Sequence, residues 1–216
     1  MIVVLLGPPG SGKGTQGDRI AADLGVPKIS TGDVIRAAIA AGTPLGLKAK
    51  AAYDRGDLVP DDVIMGIIRE TLAAPQQALG VILDGVVRTV PQAEGLAQVL
   101  AALGRKLDVV MLFEISDELL VSRLSARTMC DLCQMTFTGR APGQSHTECV
   151  KSPKGTLMRR KDDEPDAVRN RLRVYQEQTA PVIAWYAAHG ATIARIDAVG
   201  TMNEVASRAR KAVGLS

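Results

Sequence analysis

The stretch MIVVLLGPPGSGKGTQ, from Met1 to Gln16, decides the fold. A short apolar, β-branched run ends in a loop whose glycines, from Gly7 to Gly14, surround Lys13, and a helical pattern begins at Thr15. Glycines have no Cβ, so successive backbone N–H groups can turn toward one anion. The following helix points its positive end at the same anion, and Lys13 adds a full charge. A merely glycine-rich tight turn is the alternative, but strand, spacing, lysine and helix agree, so we predict a loop that binds nucleotide phosphates.

The composition is that of an ordinary globular protein. The 216 residues are 46% hydrophobic and 23% charged, with a net charge of +3, which is too weak to indicate a nucleic-acid or membrane partner. The first apolar run has no basic segment before it, and no apolar stretch approaches the ~20 residues of a membrane span. Three cysteines do not form an even disulfide set, so we interpret them as metal ligands or free thiols. We expect a cytoplasmic protein.

Strand-like runs alternate with longer helix-like stretches along the chain. This alternation predicts an α/β fold, with right-handed crossovers and a parallel sheet covered by helices on both faces. Ligands then lie beyond the carboxyl ends of the strands. After the first strand, the apolar runs predict four more, at Lys28–Ser30, Val81–Asp84, Asp108–Glu114 and Thr192–Asp197. The clearest helical stretches are Asp61–Ala74, Pro91–Leu103 and Asp166–Ala188.

Two segments interrupt the alternation. Residues 30–59 form an alanine-rich, helical insertion, whereas residues 127–163 are rich in Gly, Pro, Thr and Cys and show no sustained periodicity. A structureless stretch of that length inside a compact domain is typically a functional lid. We therefore expect a core of residues 1–29, 60–126 and 164–216 with two insertions, 30–59 and 127–163.

The glycine loop departs from the general phosphate-loop pattern in a way that narrows the family. In the general pattern a serine or threonine follows the lysine, but here Gly14 follows Lys13 and Thr15 comes one place later. In this form the loop resembles that of the nucleoside monophosphate kinases, and of the adenylate kinases in particular. The resemblance continues, in the family's order, through STGDVIRAA (Ser30–Ala38), GDLVPDDV (Gly56–Val63), LDGVVRTVPQ (Leu83–Gln92), RRKDDEPDAVRNRL (Arg159–Leu172) and YQEQTAPVIAWY (Tyr175–Tyr186).

The resemblance implies a phosphate-loop, three-layer fold with a central five-stranded parallel sheet. It also implies that residues 30–59 bind a nucleoside monophosphate and that residues 127–163 form a lid over ATP. The implied activity is reversible transfer of the ATP γ-phosphate to AMP, giving two ADP, by a monomer.

Two other functions are weighed against this one. A kinase directed at UMP or CMP is the nearer alternative, and the pattern R-T-x-x-Q ending at Gln92 argues against it. A nucleotide-switched protein that grips nucleic acid with a zinc knuckle is the other. It predicts an N-K-x-D segment or a basic–aromatic stripe, and the sequence contains neither.

Phosphoryl transfer between two polyanionic nucleotides requires many cations, which the clustered arginines supply. For any single arginine a solvated helix face is the better interpretation, and we keep it for Arg159, Arg169 and Arg173. The other arginines gain weight because each lies at a position that matches a family motif. The resemblance implies an ATP site of Gly10, Ser11, Gly12, Lys13, Gly14, Thr15, Arg123, Arg127 and Gly200. It implies a catalytic set of Lys13, Arg88, Arg123, Arg160, Arg171, Asp162 and Asp163, in which the two aspartates anchor lid closure. A surface ion-pair network is the alternative for these aspartates.

The resemblance places AMP at a second set of residues. Arg36 and Arg88 hold its phosphate, and the amide of Gln92 suits bidentate reading of adenine. The full expected AMP set is Thr31, Arg36, Asp57, Leu58, Val59, Gly85, Arg88, Gln92, Arg160 and Arg171.

Asp84 ends an apolar strand, where a carboxylate suits water-mediated binding of Mg²⁺. The alternative is a strand-end aspartate that caps the following turn. We expect the Mg²⁺ itself to arrive with ATP.

A metal site is predicted in the lid. Cys130 and Cys133 form a C-x-x-C pair, and Cys149 follows sixteen residues later. Zinc-bearing relatives place the fourth ligand three residues after the third, but here that residue is Ser152, and serine is a poor zinc ligand. His146 completes C-x2-C-x12-H-x2-C, a Cys₃His set for structural Zn²⁺. We favour His146 over Ser152; the alternative is a lid held by hydrogen bonds, with spectator thiols.

The sharpest departure from the family lies beside the expected AMP site. Relatives read D-G-F-P-R-T with a cis peptide bond before the proline, whereas this chain has Val86 and Val87 in place of Phe-Pro. A cis bond before valine costs ~2.5–4 kcal/mol, so we predict a trans bond. We also expect weakened use of AMP.

Overall fold

The structure, a computed structural model, describes residues 1–40, 42–55, 59–73, 79–133, 135–147, 149, 155–160 and 163–215. Within these residues the strands are β1 (Ile2–Leu6), β2 (Lys28–Ser30), β3 (Val81–Asp84), β4 (Val109–Glu114), β5 (Arg127–Cys130), β6 (Thr136–Thr138), β7 (Ser145–His146), β8 (Gly155–Met158) and β9 (Ile193–Asp197). The helices are α1 (Lys13–Leu24), α2 (Thr31–Ala40), α3 (Pro44–Arg55), α4 (Asp61–Ala73), α5 (Val90–Ala102), α6 (Asp117–Ser125), α7 (Pro165–Val174), α8 (Ala180–Ala188) and α9 (Met202–Ala212).

Five strands form a parallel sheet in the order β2-β3-β1-β4-β9, which confirms the predicted α/β fold. The central strand β1 is buried throughout because helices cover both faces of the sheet. Its residues alternate between two apolar clusters. Val4 lies in the cluster that includes α4, α5 and α8, and Val3 lies in the cluster that includes α1 and α9. This is the predicted three-layer arrangement.

Two of the predicted strands begin one residue before the observed ones: they were predicted to start at Asp108 and Thr192, and the observed strands start at Val109 and Ile193. Strand β4 begins at Val109 because the side chain of Asp108 takes part in a hydrogen bond at this end of the strand: its Oδ2 accepts from Ile2 N at 2.6 Å. Helix α5 begins at Val90 rather than Pro91, because the side chain of Thr89 caps it by accepting from Gln92 N.

The predicted helical stretch Asp166–Ala188 is helical in the structure, but it is not a single α-helix. The segment consists of α7, a π-helical turn at Tyr175–Thr179, and α8. Pro181 lies in the first turn of α8 and has no N–H with which to continue an α-helical ladder. The widened turn absorbs the interruption, with the N–H of Ala180 bonded to Tyr175 O.

The expectation that residues 127–163 lack regular structure is wrong. The described part of this segment contains a four-stranded antiparallel sheet in the order β6-β5-β8-β7. Its strands are only two to four residues long, which is too short to produce a detectable period in the sequence. Leu157 and two cysteines form a small buried core in it.

No helix among the described residues is long and apolar enough to cross a membrane.

Candidate functional site

The glycine loop follows β1 at the carboxyl edge of the sheet, and α1 begins at Lys13. Gly10 and Gly12 have φ values of 84° and 93°, the left-handed region that glycine enters without penalty. A Cβ on Gly10 would lie 2.9 Å from Leu124 Cγ, so a larger residue would also clash there. The loop is thus shaped by the glycines, as predicted.

The ammonium group of Lys13 lies back across the loop. Its Nζ donates to Gly7 O at 2.6 Å and to Pro8 O at 2.8 Å. The pKa of Lys13 is lowered to about 8: burial is the largest cause, the charge of Asp84 opposes the shift, and the charges of Arg88, Arg171 and Arg127 add to it. The charges that shift this pKa therefore include residues expected at AMP and residues expected at ATP.

Asp84, at the end of β3, lies directly against the start of α1. A Cβ on Gly14 would lie 3.3 Å from Asp84 Oδ2. The glycine that distinguishes this loop from the general pattern therefore permits a close approach of the carboxylate to the helix. Thr15 is in the same first turn of α1.

Asp163 joins two of the predicted arginines and is buried rather than at the surface. Its carboxylate accepts from Arg127 Nε at 2.6 Å and also from Arg127 Nη2. Arg171 Nη1 lies 3.2 Å from the same carboxylate. The Asp163 side chain is 1% exposed, and those of Arg127 and Arg171 are 17% and 22% exposed. Lid strand β5 and core helix α7 are therefore connected through one carboxylate.

The other residues expected at ATP lie around the end of β9. Arg123 Nη2 donates to Ala198 O at 2.9 Å. Gly200, with φ 115°, lies between the end of β9 and the start of α9. Arg160 is partly buried, and its carbonyl accepts from Asp163 N at 3.1 Å. Asp162 lies outside the described residues.

A pocket lies between the described part of residues 30–59 and the carboxyl edge of the sheet. It is lined by Thr31, Gly32, Ile35, Tyr53, Val59, Ile64, Gly85, Arg88 and Gln92. Five of these were predicted as AMP-site residues, namely Thr31, Val59, Gly85, Arg88 and Gln92. Arg36 reaches the same place, since its Nη1 donates to Tyr53 Oη at 3.0 Å. Asp57 and Leu58 lie outside the described residues.

Gly85 connects the two sides of this pocket. Its carbonyl accepts from Thr31 Oγ1 at 2.9 Å and from Arg88 Nε at 3.0 Å. A Cβ on Gly85 would lie 3.1 Å from Arg88 Nη2. The absence of a side chain therefore leaves room for the arginine to cross the floor of the pocket.

Tyr53 lines the pocket but was not among the predicted site residues. One signal was available, because Tyr53 is the only aromatic residue in the sequence between positions 30 and 59. The aliphatic lining residues, such as Ile35 and Ile64, resemble ordinary core positions and gave no such signal.

Val86 and Val87 are both buried in the larger apolar cluster. The peptide bond between them is trans, as predicted. The pair packs into the core immediately before Arg88, so it supports the loop without lining the pocket itself.

The predicted metal ligands of the lid lie together. The ligand atoms of Cys130, Cys133, His146 and Cys149 are all within 4.8 Å of one another. Cys130 Sγ lies 3.7 Å from Cys149 Sγ, and Cys133 Sγ lies 3.4 Å from His146 Nδ1. Tetrahedral zinc, with Zn–S of about 2.3 Å and Zn–N of about 2.0–2.1 Å, requires about 3.8 Å between sulfurs and about 3.5 Å between sulfur and nitrogen. The cluster thus fits a structural zinc.

The surroundings of the cluster favour the same interpretation. His146 is fully buried although histidine is polar, and its ring makes a T-shaped contact with that of Phe137. Burial acts to raise the pKa of Cys130, but hydrogen bonds from the Cys133 backbone and from His146 lower it overall, whereas burial raises the pKa of Cys133. Ser152, the alternative ligand, lies outside the described residues.

A glycine loop that carries Lys13, a neighbouring pocket lined by Arg88 and Gln92, and two arginines joined by Asp163 are typical of a phosphate-loop kinase that acts on small phosphorylated substrates. A model of the adenylate kinase family matches residues 5–191. The chain is 63% identical over all 216 residues to the adenylate kinase of Gemmatimonas aurantiaca, which it covers completely. It is 46% identical over 191 residues to that of Nitrosococcus oceani, with 88% of each chain covered. The adenylate kinase of Kosmotoga olearia is 46% identical over 193 residues, 89% of this chain and 90% of that one. The chain belongs to the adenylate kinase family and is a phosphotransferase.

Proposed function

We propose that this enzyme transfers the γ-phosphate of ATP reversibly to AMP, giving two ADP. An oxygen of the AMP phosphate attacks the γ-phosphorus, the bond from that phosphorus to the β–γ bridging oxygen breaks, and the released group is ADP. The observation that carries the proposal is geometric: the carboxylate of Asp84, the residue before Gly85 of the pocket, lies against the first turn of α1 at the end of the glycine loop. The two expected sites are therefore adjacent at the carboxyl edge of the sheet.

The AMP site is proposed to be the pocket between Thr31 and Gln92. Arg88 extends along its floor from Gly85, and Arg36 approaches from α2. Together they place two guanidinium groups where the monophosphate would lie. Asp57 and Leu58 stay predicted members of this site.

The ATP site is proposed to be the glycine loop under the lid, with Gly10, Ser11, Gly12, Gly14 and Thr15 around the phosphates. On binding, the Lys13 ammonium would exchange the carbonyls of Gly7 and Pro8 for phosphate oxygens, which accept more strongly because they are charged. The backbone near Gly200 would receive the adenine.

Charge on the transferred group is proposed to be neutralised by Arg123, Arg160 and Arg171, with Arg127 on ATP. Catalysis of phosphoryl transfer depends mainly on positioning and on charge neutralisation. Arginines that are held in place before the nucleotides bind therefore contribute to it. Asp163 supports this role because it holds Arg127 and Arg171 side by side. Asp162 stays a predicted partner.

Two metals are part of the proposal. Mg²⁺ would arrive with ATP and neutralise its phosphates, and Asp84 would hold it through water. Zn²⁺ would be bound by Cys130, Cys133, His146 and Cys149 and would stabilise the lid sheet, since binding energy at a structural zinc is folding energy.

Residues 30–59 and 127–163 are proposed to form the AMP-binding insertion and the lid, on a core of residues 1–29, 60–126 and 164–216. The monomeric state and the cytoplasmic location stay predictions.

The test is a coupled assay of ADP formation with ATP and each of AMP, UMP and CMP. We expect AMP to be the preferred acceptor; a preference for UMP or CMP would contradict the proposal. Lys13→Met should lower turnover by about 10²-fold or more, as expected when a charge contact in the transition state is lost. Lys106→Met, which alters an exposed lysine, is the matched control and should retain full turnover.

A further inference from the structure

The side-chain amide of Gln92 is held by two hydrogen-bond partners, one of which is an acceptor and the other a donor. Its Nε2 donates to Asp61 Oδ1 at 2.6 Å, and its Oε1 accepts from the backbone N–H of Arg88 at 2.7 Å. Gln92 is only 2% exposed, so water does not compete strongly for either bond. Asp61 is the first residue of α4, 31 positions away in the sequence.

These two partners fix which way the amide faces. A carboxylate only accepts hydrogen bonds and a backbone N–H only donates. If the amide rotated by 180°, the oxygen of Gln92 would face Asp61 and its NH₂ group would face the N–H of Arg88. Both contacts would then be repulsive, so only one orientation is satisfied.

Asp61 is itself held in place. Its second oxygen, Oδ2, accepts from Thr89 Oγ1 at 3.1 Å, and the same hydroxyl oxygen accepts from Gln92 N at 3.3 Å to cap α5. The carboxylate therefore joins the start of α4 to the first turn of α5 through two side chains. The Asp61 carboxylate therefore cannot rotate freely, and its contact with Gln92 is fixed in direction.

The amide keeps part of its hydrogen-bonding capacity for a ligand. An amide has two N–H donors and two acceptor lone pairs, so the contacts with Asp61 and Arg88 use one of each. One donor and one acceptor are left, in a fixed order, and Gln92 lines the pocket. Adenine offers an amino donor at position 6 with an acceptor at N1, whereas guanine and hypoxanthine offer a carbonyl acceptor at position 6 with a donor at N1. An amide that can rotate could pair with either arrangement of donor and acceptor on the purine. An amide of fixed orientation can pair with only one of them.

We propose that Asp61 is a specificity-determining positioning residue, which holds the Gln92 amide in the orientation that accepts 6-aminopurine monophosphates and rejects 6-oxopurine monophosphates. This inference rests on the proposed function, in that Gln92 reads the base of the monophosphate. Asp61 acts through Gln92 and does not touch the substrate.

The test compares kcat/KM for AMP and for GMP and IMP at saturating ATP. In Asp61→Ala the amide loses one of the two contacts that fix its orientation, and we expect the AMP preference to fall by about 10-fold or more, the scale of one bidentate base contact. The KM for ATP should be unchanged. Asp61→Asn keeps an oxygen that accepts from Nε2, so it should recover most of the preference lost in Asp61→Ala.

Asp62→Ala is the matched control, because Asp62 is the exposed neighbour of Asp61 in the same first turn of α4. It removes the same charge from the helix terminus without touching Gln92, and it should leave the preference intact. An equal loss of preference in Asp62→Ala and Asp61→Ala would overturn the proposal, and so would an unchanged preference in Asp61→Ala.

Gln92→Leu separates this inference from the proposed function. If Gln92→Leu lowers the AMP preference and Asp61→Ala does not, the positioning role is wrong while base reading by Gln92 stands. If Gln92→Leu leaves the preference unchanged, base reading by Gln92 is wrong, and the role of Asp61 falls with it.

Discussion

Replacing Asp163 by asparagine should destabilise the protein far more than a typical loss of a surface charge. The substitution keeps the shape of the side chain but leaves Arg127 and Arg171 without their shared carboxylate. Removing one partner of a buried ion pair costs about 3–5 kcal/mol. The arginine side chains are 17% and 22% exposed and can regain some water, so we expect about 3 kcal/mol. For a chain of this size that corresponds to a fall in Tm of roughly 6–12 °C.

The matched control is Asp166→Asn. Asp166 pairs with Arg169, but the two side chains are 94% and 72% exposed, so the loss should stay below about 1 kcal/mol. Thermal unfolding of both variants gives the comparison. Hydrogen exchange should show the loss first at the amides of β5, since Arg127 is the contact of that strand with Asp163. Equal Tm values for the two variants would refute the assignment of Asp163 as the buried link between lid and core.

Three further predictions concern other parts of the site. Because burial holds the pKa of Lys13 at about 8 in the free enzyme and a bound polyphosphate favours the ammonium form, ATP binding at pH 8.5 should take up protons, and ATP affinity should fall as pH rises above 8. Calorimetry in buffers of different ionisation enthalpy measures the uptake, and zero uptake would contradict the prediction. His146→Ala should lower the zinc content and the Tm, whereas His189→Ala, at the other and exposed histidine, should keep its zinc; elemental analysis measures the zinc and thermal unfolding the Tm. Val86→Phe with Val87→Pro should lower the KM for AMP and leave that for ATP unchanged; a change in the ATP constant alone would show that the valines are only packing residues. Both valines are buried, so Tm must be measured alongside.

The parts of the fold that the sequence predicts well are those with a strong local signal. Parallel strands buried on both faces are continuous apolar runs, which is why Val81–Asp84 was located to the residue. The glycine loop was equally clear, because its conformation requires glycine at positions such as Gly12. Family motifs then placed Thr31 and Arg88 at one pocket.

The parts that failed depend on pairing or on hydrogen-bond chemistry. The lid strands are stabilised by their neighbours and by the cysteine–histidine cluster, and a two-residue strand such as Ser145–His146 has no period of its own. The interruption at Tyr175–Thr179 did have a signal in Pro181, but it was outweighed by the helical pattern on both sides. Contacts between distant side chains, such as that of Asp61 with Gln92, leave no trace in a local pattern.

Two aspartates prepare the site in the same physical way, and neither blocks it. Asp163 engages two of the five guanidinium N–H donors of Arg127 through Nε and Nη2, which leaves three donors that do not take part in this pair. Asp61 likewise engages one of the two N–H groups of Gln92. In each case the carboxylate restricts a side chain that would otherwise lose rotational freedom on binding, and the remaining donors can still reach a ligand. Removing either aspartate should therefore lower nucleotide affinity or selectivity, because the loss of positioning outweighs the gain of free donors. A rise in nucleotide affinity would instead show that the aspartate is autoinhibitory.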